Sequence, residues 1–394
     1  MKHIRIALLL GSLTLPVVPA ALVAQDLDFY TQQFDSVDTI QDQFGIVRSV
    51  AEEEDSGGVE FYAHALDRLL TEYHNIPASA VNERRTADDM AKLLCQKLGE
   101  AEYTEAGLNL WRVVENFFDP LVKAEALRAL GRVQATDLLP QVVQLLTDIN
   151  NAPSEDRLNQ EQIAFGAVEG LEAYKDSSGY LPVFFAATGW YSDRVKSRAR
   201  QALPNIMDNP TDPLVSVIKS SSYNNNVKYA ALEVLEASDV TAQQKASGAV
   251  ASLAEAWRVS TSLVGQRSIL TSNRKLALSM IRRYGTEDTN VYPLLERCYR
   301  EGADEEEQIA ALAALSALAT DDSARRLSAF LADMNERLRR GTLTREDERM
   351  VRVIIPALGN TGRPLARVAL RSVLNLDWTG AVQRLAQDAL KKIQ

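Results

Sequence analysis

A four-residue rhythm of apolar and small side chains recurs along most of the chain. In each occurrence an anchor residue, usually apolar or small, is followed four positions later by Ala (once Ile) and after four more by Leu or Ile. The eight matches are Val122/Ala126/Leu130, Ile163/Ala167/Leu171, Val195/Ala199/Leu203, Val227/Ala231/Leu235, Asn273/Ala277/Ile281, Ala310/Ala314/Leu318, Met350/Ile354/Leu358 and Val382/Ala386/Leu390. Because residues four apart share one face of an α-helix, each match predicts an amphipathic helix.

The spacing of the matches predicts how these helices are assembled. Successive anchors lie 32 to 46 residues apart, which is the period of stacked helix pairs. A proline also follows several anchors by 14 to 20 residues, and a proline suits the first turn of a second helix. These prolines are Pro140, Pro182, Pro213, Pro293 and Pro364. We therefore predict an all-α solenoid of about eight to nine helix pairs, each stacked on the next.

The segment from Asp119 to Asp148 shows the pattern most clearly. Asp119 is suited to cap a first helix and Pro120 to occupy its first turn. After Gly131 the pattern breaks, and Pro140 begins a second apolar stripe. We interpret this motif helix and the proline helix that follows it as one repeat.

Three segments carry a family resemblance. The run from Asp119 to Val133 resembles a HEAT repeat, an armadillo-like helical motif, of the bacterial subtype also seen in phycobilisome-lyase-like proteins. The same motif is matched by Asp193-Arg194-Val195-Lys196 with Ala199 and Leu203, and by Asn226-Val227-Lys228 with Ala231 and Leu235. The resemblance implies a right-handed α-α superhelix. HEAT arrays mostly scaffold protein complexes, while a few members are lyases or nucleic-acid glycosylases, so the fold does not choose a function.

The N-terminus has the pattern of an export signal. Lys2 and Arg5 precede an apolar run from Ile6 to Val18, and Ala24 precedes the expected first mature residue, Gln25. The alternative is a membrane anchor, but glycine and proline interrupt the run, which is shorter than the ~20 residues that a span needs. We expect an exported protein, periplasmic or secreted, with no integral span after the signal is removed.

The rest of the chain is predicted to have three parts. Residues 25–58 form an acidic N-terminal arm, with ten acidic residues and one arginine between Asp26 and Glu60, and they end in a flexible joint at Asp55–Gly58. Residues 59–118 provide capping helices and a divergent first repeat, and residues 119–394 the HEAT-like array. The apolar residues of the arm favour docking on the first helices, although another molecule is an alternative partner.

Charge excludes one class of partner and indicates another. The formal charge is −10, and −12 without the signal, so general nucleic-acid binding is not expected. The segment from Arg325 to Arg384, however, contains twelve arginines and only six acidic residues. These arginines either lie on solvated outer faces or form a basic strip for an acidic peptide, a polyanionic wall polymer or the acidic arm of another copy. Arg337, Arg339 and Arg340 are the candidate binding residues.

Aromatic residues provide a second candidate surface. Tyr180, Phe184, Phe185, Trp190 and Tyr191 cluster around one repeat, and most are expected to fill the core between repeats. Trp190 and Tyr191 precede the next helix, so an exposed pair that binds a partner is the alternative.

Residues for catalysis are scarce. His64 and His74 are too far apart on a helix to share a metal, and Cys95 and Cys298 lie in apolar helical patterns that predict buried, unpaired thiols. No phosphate-binding loop, zinc motif or nucleophile motif is found, so we expect no cofactor and no metal. The leading hypothesis is a non-catalytic exported scaffold that binds a protein of the cell envelope through its curved surface. An enzyme of unknown class on the same solenoid is the alternative.

Overall fold

The computed structural model describes residues 29–53, 58–153 and 155–393, which form twenty α-helices and contain no β-strand. The predicted export signal, residues 1–24, and most of the predicted joint lie outside the described residues. The chain divides into two compact units, unit 1 up to Ile206 and unit 2 from Met207.

Unit 1 contains the first ten helices. They are α1 (29–36), α2 (Ile40–Glu52), α3 (Val59–Glu72), α4 (Val81–Glu100), α5 (Gly107–Asn116), α6 (Pro120–Arg132), α7 (Leu139–Asn151), α8 (Arg157–Tyr174), α9 (Tyr180–Thr188) and α10 (Asp193–Ile206). The even-numbered helices α4, α6, α8 and α10 stack side by side in chain order. Each of them also packs on the helix before it, which gives four helix pairs.

Unit 2 repeats this arrangement with ten further helices. They are α11 (Thr211–Lys219), α12 (Asn225–Ala237), α13 (Ala242–Arg258), α14 (Val264–Tyr284), α15 (Val291–Glu301), α16 (Glu305–Leu318), α17 (Asp321–Arg339), α18 (Arg345–Asn360), α19 (Ala366–Leu374) and α20 (Gly380–Lys392). The even-numbered helices again stack in order, and each packs on its predecessor, forming five pairs. The predicted all-α solenoid of eight to nine pairs is confirmed.

The proline pattern located the second helices correctly. Pro140, Pro182, Pro213 and Pro293 lie in the first turns of α7, α9, α11 and α15, and Pro364 comes just before α19. The predicted pairing was wrong, however. The motif helix α6 packs more extensively on the preceding α5 than on the following α7, and the other motif helices that have a following helix also pack more on the preceding helix than on the following one. A repeat is therefore a proline helix followed by a motif helix.

The apolar register is confirmed in α6 and shifted in α16. In α6, Val122, Ala126 and Leu130 are all fully buried. In α16 the predicted Ala310 and Leu318 are only half-buried, because the buried stripe begins at Glu307. The connections between α13 and α14 and between α17 and α18 are short, with loops at residues 259–263 and 340–344.

Residues 59–118 form the helices α3 to α5, in the region predicted to contain capping helices and a divergent first repeat. In α3 and α4 apolar residues such as Phe61 and Leu94 are buried. In α5, Leu110 and Val113 fill the core, whereas Leu108 is exposed, as is Phe118 just beyond the helix.

The acidic arm docks on the first helices of its own unit. Phe34 of α1 is fully buried, and its ring meets Phe61 of α3 edge to face at 5.6 Å between centroids. The Arg68 guanidinium lies 5.3 Å from the centre of the Phe34 ring and donates a 2.9 Å hydrogen bond to the Phe34 carbonyl. It also forms an ion pair with Asp35 at 3.2 Å. The docking predicted from the apolar residues of the arm is confirmed.

Glycines allow α6 and α8 to approach closely. A Cβ atom built on Gly166 of α8 would lie 2.4 Å from the Ala124 carbonyl oxygen, and one on Gly131 of α6 would lie 2.2 Å from the Gly170 carbonyl oxygen. Both distances are far below van der Waals contact. The spacing of these two motif helices therefore depends on the missing side chains.

Candidate binding site

A polar cavity opens at one edge of unit 2. Its volume is about 510 Å³, and it lies where the loops before α12 and after α13 meet the first turns of α12 and α14. The lining residues are Ser221, Tyr223, Asn224, Asn225, Lys228, Glu255, Arg258, Val259 and Gln266. Asn224 fixes this edge locally, because its side chain accepts a 3.1 Å hydrogen bond from the Val227 N–H and caps α12.

Three charged residues form the centre of the cavity lining. The Lys228 ammonium donates to Glu255 Oε1 at 2.6 Å, and Arg258 donates from Nε to Oε2 at 2.7 Å and from Nη2 to Oε1 at 3.0 Å. Lys228 and Glu255 are buried, whereas the Arg258 side chain is 64% exposed. Burial acts to raise the pKa of Glu255, but the hydrogen bonds and charges of Arg258 and Lys228 outweigh it and hold that pKa below its usual value. The cluster thus carries one net positive charge.

A narrow cleft continues inward from the cavity. It is lined in part by Asn225, Lys228, Glu255 and Asn273. The Asn273 amide donates to the Asn225 carbonyl at 3.4 Å, while its own Oδ1 is buried and has no hydrogen-bond partner among the described residues. Leaving a buried acceptor unpaired costs about 1–3 kcal/mol. The cleft has no room for a water molecule, so the unpaired Asn273 Oδ1 is a local energetic cost and not a position for a ligand.

Two exposed apolar residues lie close in the chain to the cavity lining. Leu263 is 66% and Val264 73% exposed, and both precede the lining residue Gln266 at the start of α14. Large apolar side chains exposed beside a polar cavity are typical of a binding surface.

The predicted aromatic pair lies in unit 1 and is not an exposed surface. Tyr191 is buried, and its hydroxyl donates to Asn150 Oδ1 at 2.8 Å. Trp190 is half-buried, stacks on Tyr191 at 4.2 Å between ring centroids and donates its indole N–H to the Ile149 carbonyl at 3.2 Å. The alternative of an exposed pair does not hold for Tyr191, because the end of α7 supplies partners for both polar groups.

The predicted basic residues of unit 2 are exposed but paired. Arg337 contacts Asp347 at 2.7 Å, and Arg339 and Arg340 contact Glu336 at 3.5 and 2.8 Å. Such exposed pairs contribute little to stability, but they place a negative charge next to each arginine. The partner-binding role of these arginines stays a prediction.

The histidines and cysteines lie apart from the cavity. In unit 1, His64 Nε2 lies 2.9 Å from Asp35 Oδ1, and His74 lies in a 3-10 turn after α3. No group of three His, Cys, Asp or Glu that could hold a metal occurs in the described part of the chain. Cys95 and Cys298 are buried as predicted, and burial raises the pKa of both thiols, that of Cys298 to about 12. Both are therefore protonated at neutral pH.

Comparisons with known proteins add little beyond the fold. No family model matches the chain, and no curated protein matches it. An engineered protein from a structural genomics consortium is 17% identical with a TM-score of 0.36, covering 93% of this chain and 98% of its own. Human deoxyhypusine hydroxylase in complex with glycerol is 14% identical with a TM-score of 0.20, covering 94% and 97%. At these scores neither structure supports a transfer of function. The helical repeat rests on the packing described above, and the bacterial HEAT subtype stays a prediction.

The sequence did contain a sign of the cavity, outside any catalytic motif. Asn273 occupies an anchor position of the repeat motif, where the other anchors are apolar or small, and Lys228 directly follows the anchor Val227. In α12 the structure buries Lys228 more deeply than Val227. In the sequence, only Asn273 distinguishes this region, because a lysine also follows the anchors Val122 and Val195.

Asp88 of unit 1 is a half-buried carboxyl group with a perturbed pKa. Burial raises its pKa to about 6, with a smaller contribution in the same direction from the Asp119 carboxylate, although the 3.0 Å hydrogen bond from the Tyr73 hydroxyl opposes the rise. Because the unfolded value is about 3.9, the folded state binds more protons between these two pH values. The contribution of Asp88 to the stability of unit 1 should therefore fall as pH rises from about 4 to 6.

We expect Asp88→Asn to remove this pH dependence. The variant should be more stable than the wild type at pH 7 and nearly equal to it at pH 4, as measured by urea unfolding of the full chain across that range. Asp89→Asn is the matched control, since Asp89 is its neighbour on α4 and forms an ion pair with Lys92 at 2.7 Å. If both variants changed stability equally at pH 7, burial of Asp88 would not be the cause.

Proposed function

We propose that the protein is a non-catalytic, exported repeat scaffold that binds a protein partner of the cell envelope. The observation that supports this most is the polar cavity of unit 2, with its buried ion cluster and the exposed Leu263 and Val264 beside it. The proposed export rests on the charge and apolar pattern of residues 1–24. A stack of helical repeats holds its surface cavities in a rigid framework, which is suited to binding a partner.

The chemistry of the cavity favours binding over catalysis. A general base works best with a pKa near the working pH, whereas the pKa of Glu255 is held below its usual value. Glu255 also already accepts hydrogen bonds from Lys228 and Arg258 through both of its oxygens. Such a carboxylate orders the two cations instead of accepting a proton from a substrate.

The proposal is tested by capturing the partner with the mature chain in its native envelope fraction. We expect one specific protein to be retained by the wild type and by Val368→Lys, and lost with Val264→Lys. The two valines make a matched pair, because Val264 is 73% and Val368 79% exposed and Val368 lies on α19, outside the cavity lining. Introducing a charge should disrupt binding only where the valine is buried by the partner.

Two results would contradict the proposal. If no protein were retained by the wild type, the scaffold function would fail. If Val264→Lys retained the same protein as Val368→Lys, this edge of unit 2 would not be the binding surface. Fractionation of the native cells, with the mature N-terminus determined by mass spectrometry, tests export separately.

A further inference from the structure

We infer that the cavity of unit 2 binds a single carboxylate presented by an extended polypeptide. This inference rests on the proposed function and names the chemistry by which the partner is recognised. The carboxylate is either an acidic side chain or the C-terminus of the partner.

The charge of the site matches one carboxylate. Lys228 and Arg258 contribute two positive charges, and the ionised Glu255 contributes one negative charge. One bound carboxylate therefore neutralises the cluster. A phosphate dianion would leave a net negative charge beside Glu255, and a neutral ligand would leave the positive charge unbalanced.

Hydrogen-bond donors remain for that carboxylate. The Lys228 ammonium has three N–H groups, of which the described residues accept one, through Glu255. Arg258 uses Nε and Nη2 toward Glu255, which leaves the N–H groups of Nη1. Both side chains line the cavity, so the remaining donors can reach a ligand within it.

Glu255 is a positioning residue in this arrangement. Its two oxygens hold the Lys228 ammonium and the Arg258 guanidinium at 2.6–3.0 Å, although these cations repel each other. The site is therefore ordered before a ligand binds, and less side-chain entropy is lost on binding.

The remaining lining suits a polypeptide backbone. The Asn225 amide donates to Gln266 Oε1 at 2.8 Å, which leaves Asn225 Oδ1 as an acceptor and Gln266 Nε2 as a donor for peptide groups. The Ser221 hydroxyl also lines the cavity. The cavity volume of about 510 Å³ falls within the range of about 300–1,000 Å³ for small-ligand sites. Leu263 and Val264 offer apolar contacts to a residue next to the carboxylate.

Three synthetic peptides test the inference on the full mature chain by NMR titration. Acetyl-Leu-Asp-Leu-amide carries a side-chain carboxylate, acetyl-Leu-Asn-Leu carries a terminal carboxylate, and acetyl-Leu-Asn-Leu-amide carries none. We expect at least one of the two carboxylate peptides to bind about tenfold or more tightly than the neutral peptide. Whichever peptide binds identifies the source of the carboxylate. The shifted resonances should include the side-chain amides of Asn225 and Gln266.

Variants show whether the cluster is responsible. Lys228→Met and Arg258→Gln should each reduce the preference for a carboxylate to less than about twofold, because each removes donors and the net positive charge. Arg267→Gln is the matched control and should keep the preference, since Arg267 is exposed on α14 and does not line the cavity. If the buried Lys228→Met fails to fold, the exposed Arg258→Gln decides.

Equal binding of all three peptides would overturn the inference, as would a preference that survives in Arg258→Gln. These failures are distinct from failure of the proposed function. A partner captured equally by the wild type and Arg258→Gln but lost with Val264→Lys would leave the scaffold proposal standing without the carboxylate. Carboxylate binding with no captured partner would support the site alone.

Discussion

Replacing Gly166 by alanine is expected to lower the free energy of unfolding of unit 1 by about 3 kcal/mol, the upper part of the range for overpacked cores. The new Cβ would lie 2.4 Å from the Ala124 carbonyl oxygen and 2.5 Å from the Ala124 Cα atom. Both atoms belong to the backbone of α6, so a side-chain rotation cannot relieve the contact. The helices α6 and α8 would have to separate and lose packing along their length.

Gly45→Ala is the matched control for this substitution. Gly45 also lies inside a helix of unit 1, α2, but a Cβ atom added to it would have nothing within 4 Å. Alanine is favoured over glycine in a helix by about 0.5–1 kcal/mol, so this variant should be slightly stabilised. Urea unfolding followed by circular dichroism measures both variants. A similar change in the two would show that helix propensity, and not the contact between α6 and α8, determines the effect.

The second large effect is expected from Arg274→Met in unit 2. Glu307 is fully buried, and its carboxylate receives hydrogen bonds from Arg274 Nε at 2.5 Å, Arg274 Nη2 at 3.0 Å and the Ala303 N–H at 2.9 Å. Methionine fills part of the space of arginine but leaves the carboxylate without its countercharge. Removing one partner of a buried ion pair costs about 3–5 kcal/mol.

Two further variants distinguish the loss of stability caused by an unpaired buried charge from that caused by lost packing. Lys275 pairs with Asp304 at 2.9 Å and Glu306 at 2.5 Å on the surface, so Lys275→Met should cost less than about 1 kcal/mol. Adding Glu307→Gln to Arg274→Met should restore much of the lost stability, because the amide oxygen still accepts from Ala303 and no buried charge remains. Equal losses in Arg274→Met and Lys275→Met, measured by urea unfolding, would show that the buried charge is unimportant.

The sequence predicted the fold where local pattern alone determines structure. The apolar anchors such as Val122 and the first-turn prolines such as Pro140 act within one helix, so their spacing located α6 and α7 correctly. The register failed in α16 because its first buried position is Glu307, whose partner Arg274 lies 33 residues earlier in the chain. A buried carboxylate looks like a surface residue until that distant partner is known.

The candidate site was predicted less well for the same reason. Residue type alone made Trp190 and Tyr191 candidates for an exposed binding pair. Their polar groups instead pair with Ile149 and Asn150, 41 residues earlier in the chain. The contact of Lys228 with Glu255 spans 27 residues, so the local motif that contains Lys228 does not reveal its partner. In the sequence, only the polar residue Asn273 at a buried anchor position indicated that this part of unit 2 has a role besides packing.

Within each unit, the principal helix contacts join elements that are close together in the chain. Because contacting helices are close in the chain, little chain entropy is lost when they come together. Folding can therefore begin at any helix pair and spread to the neighbouring pairs. For the same reason, a whole helix pair can be duplicated or deleted without changing the connections between the remaining helices.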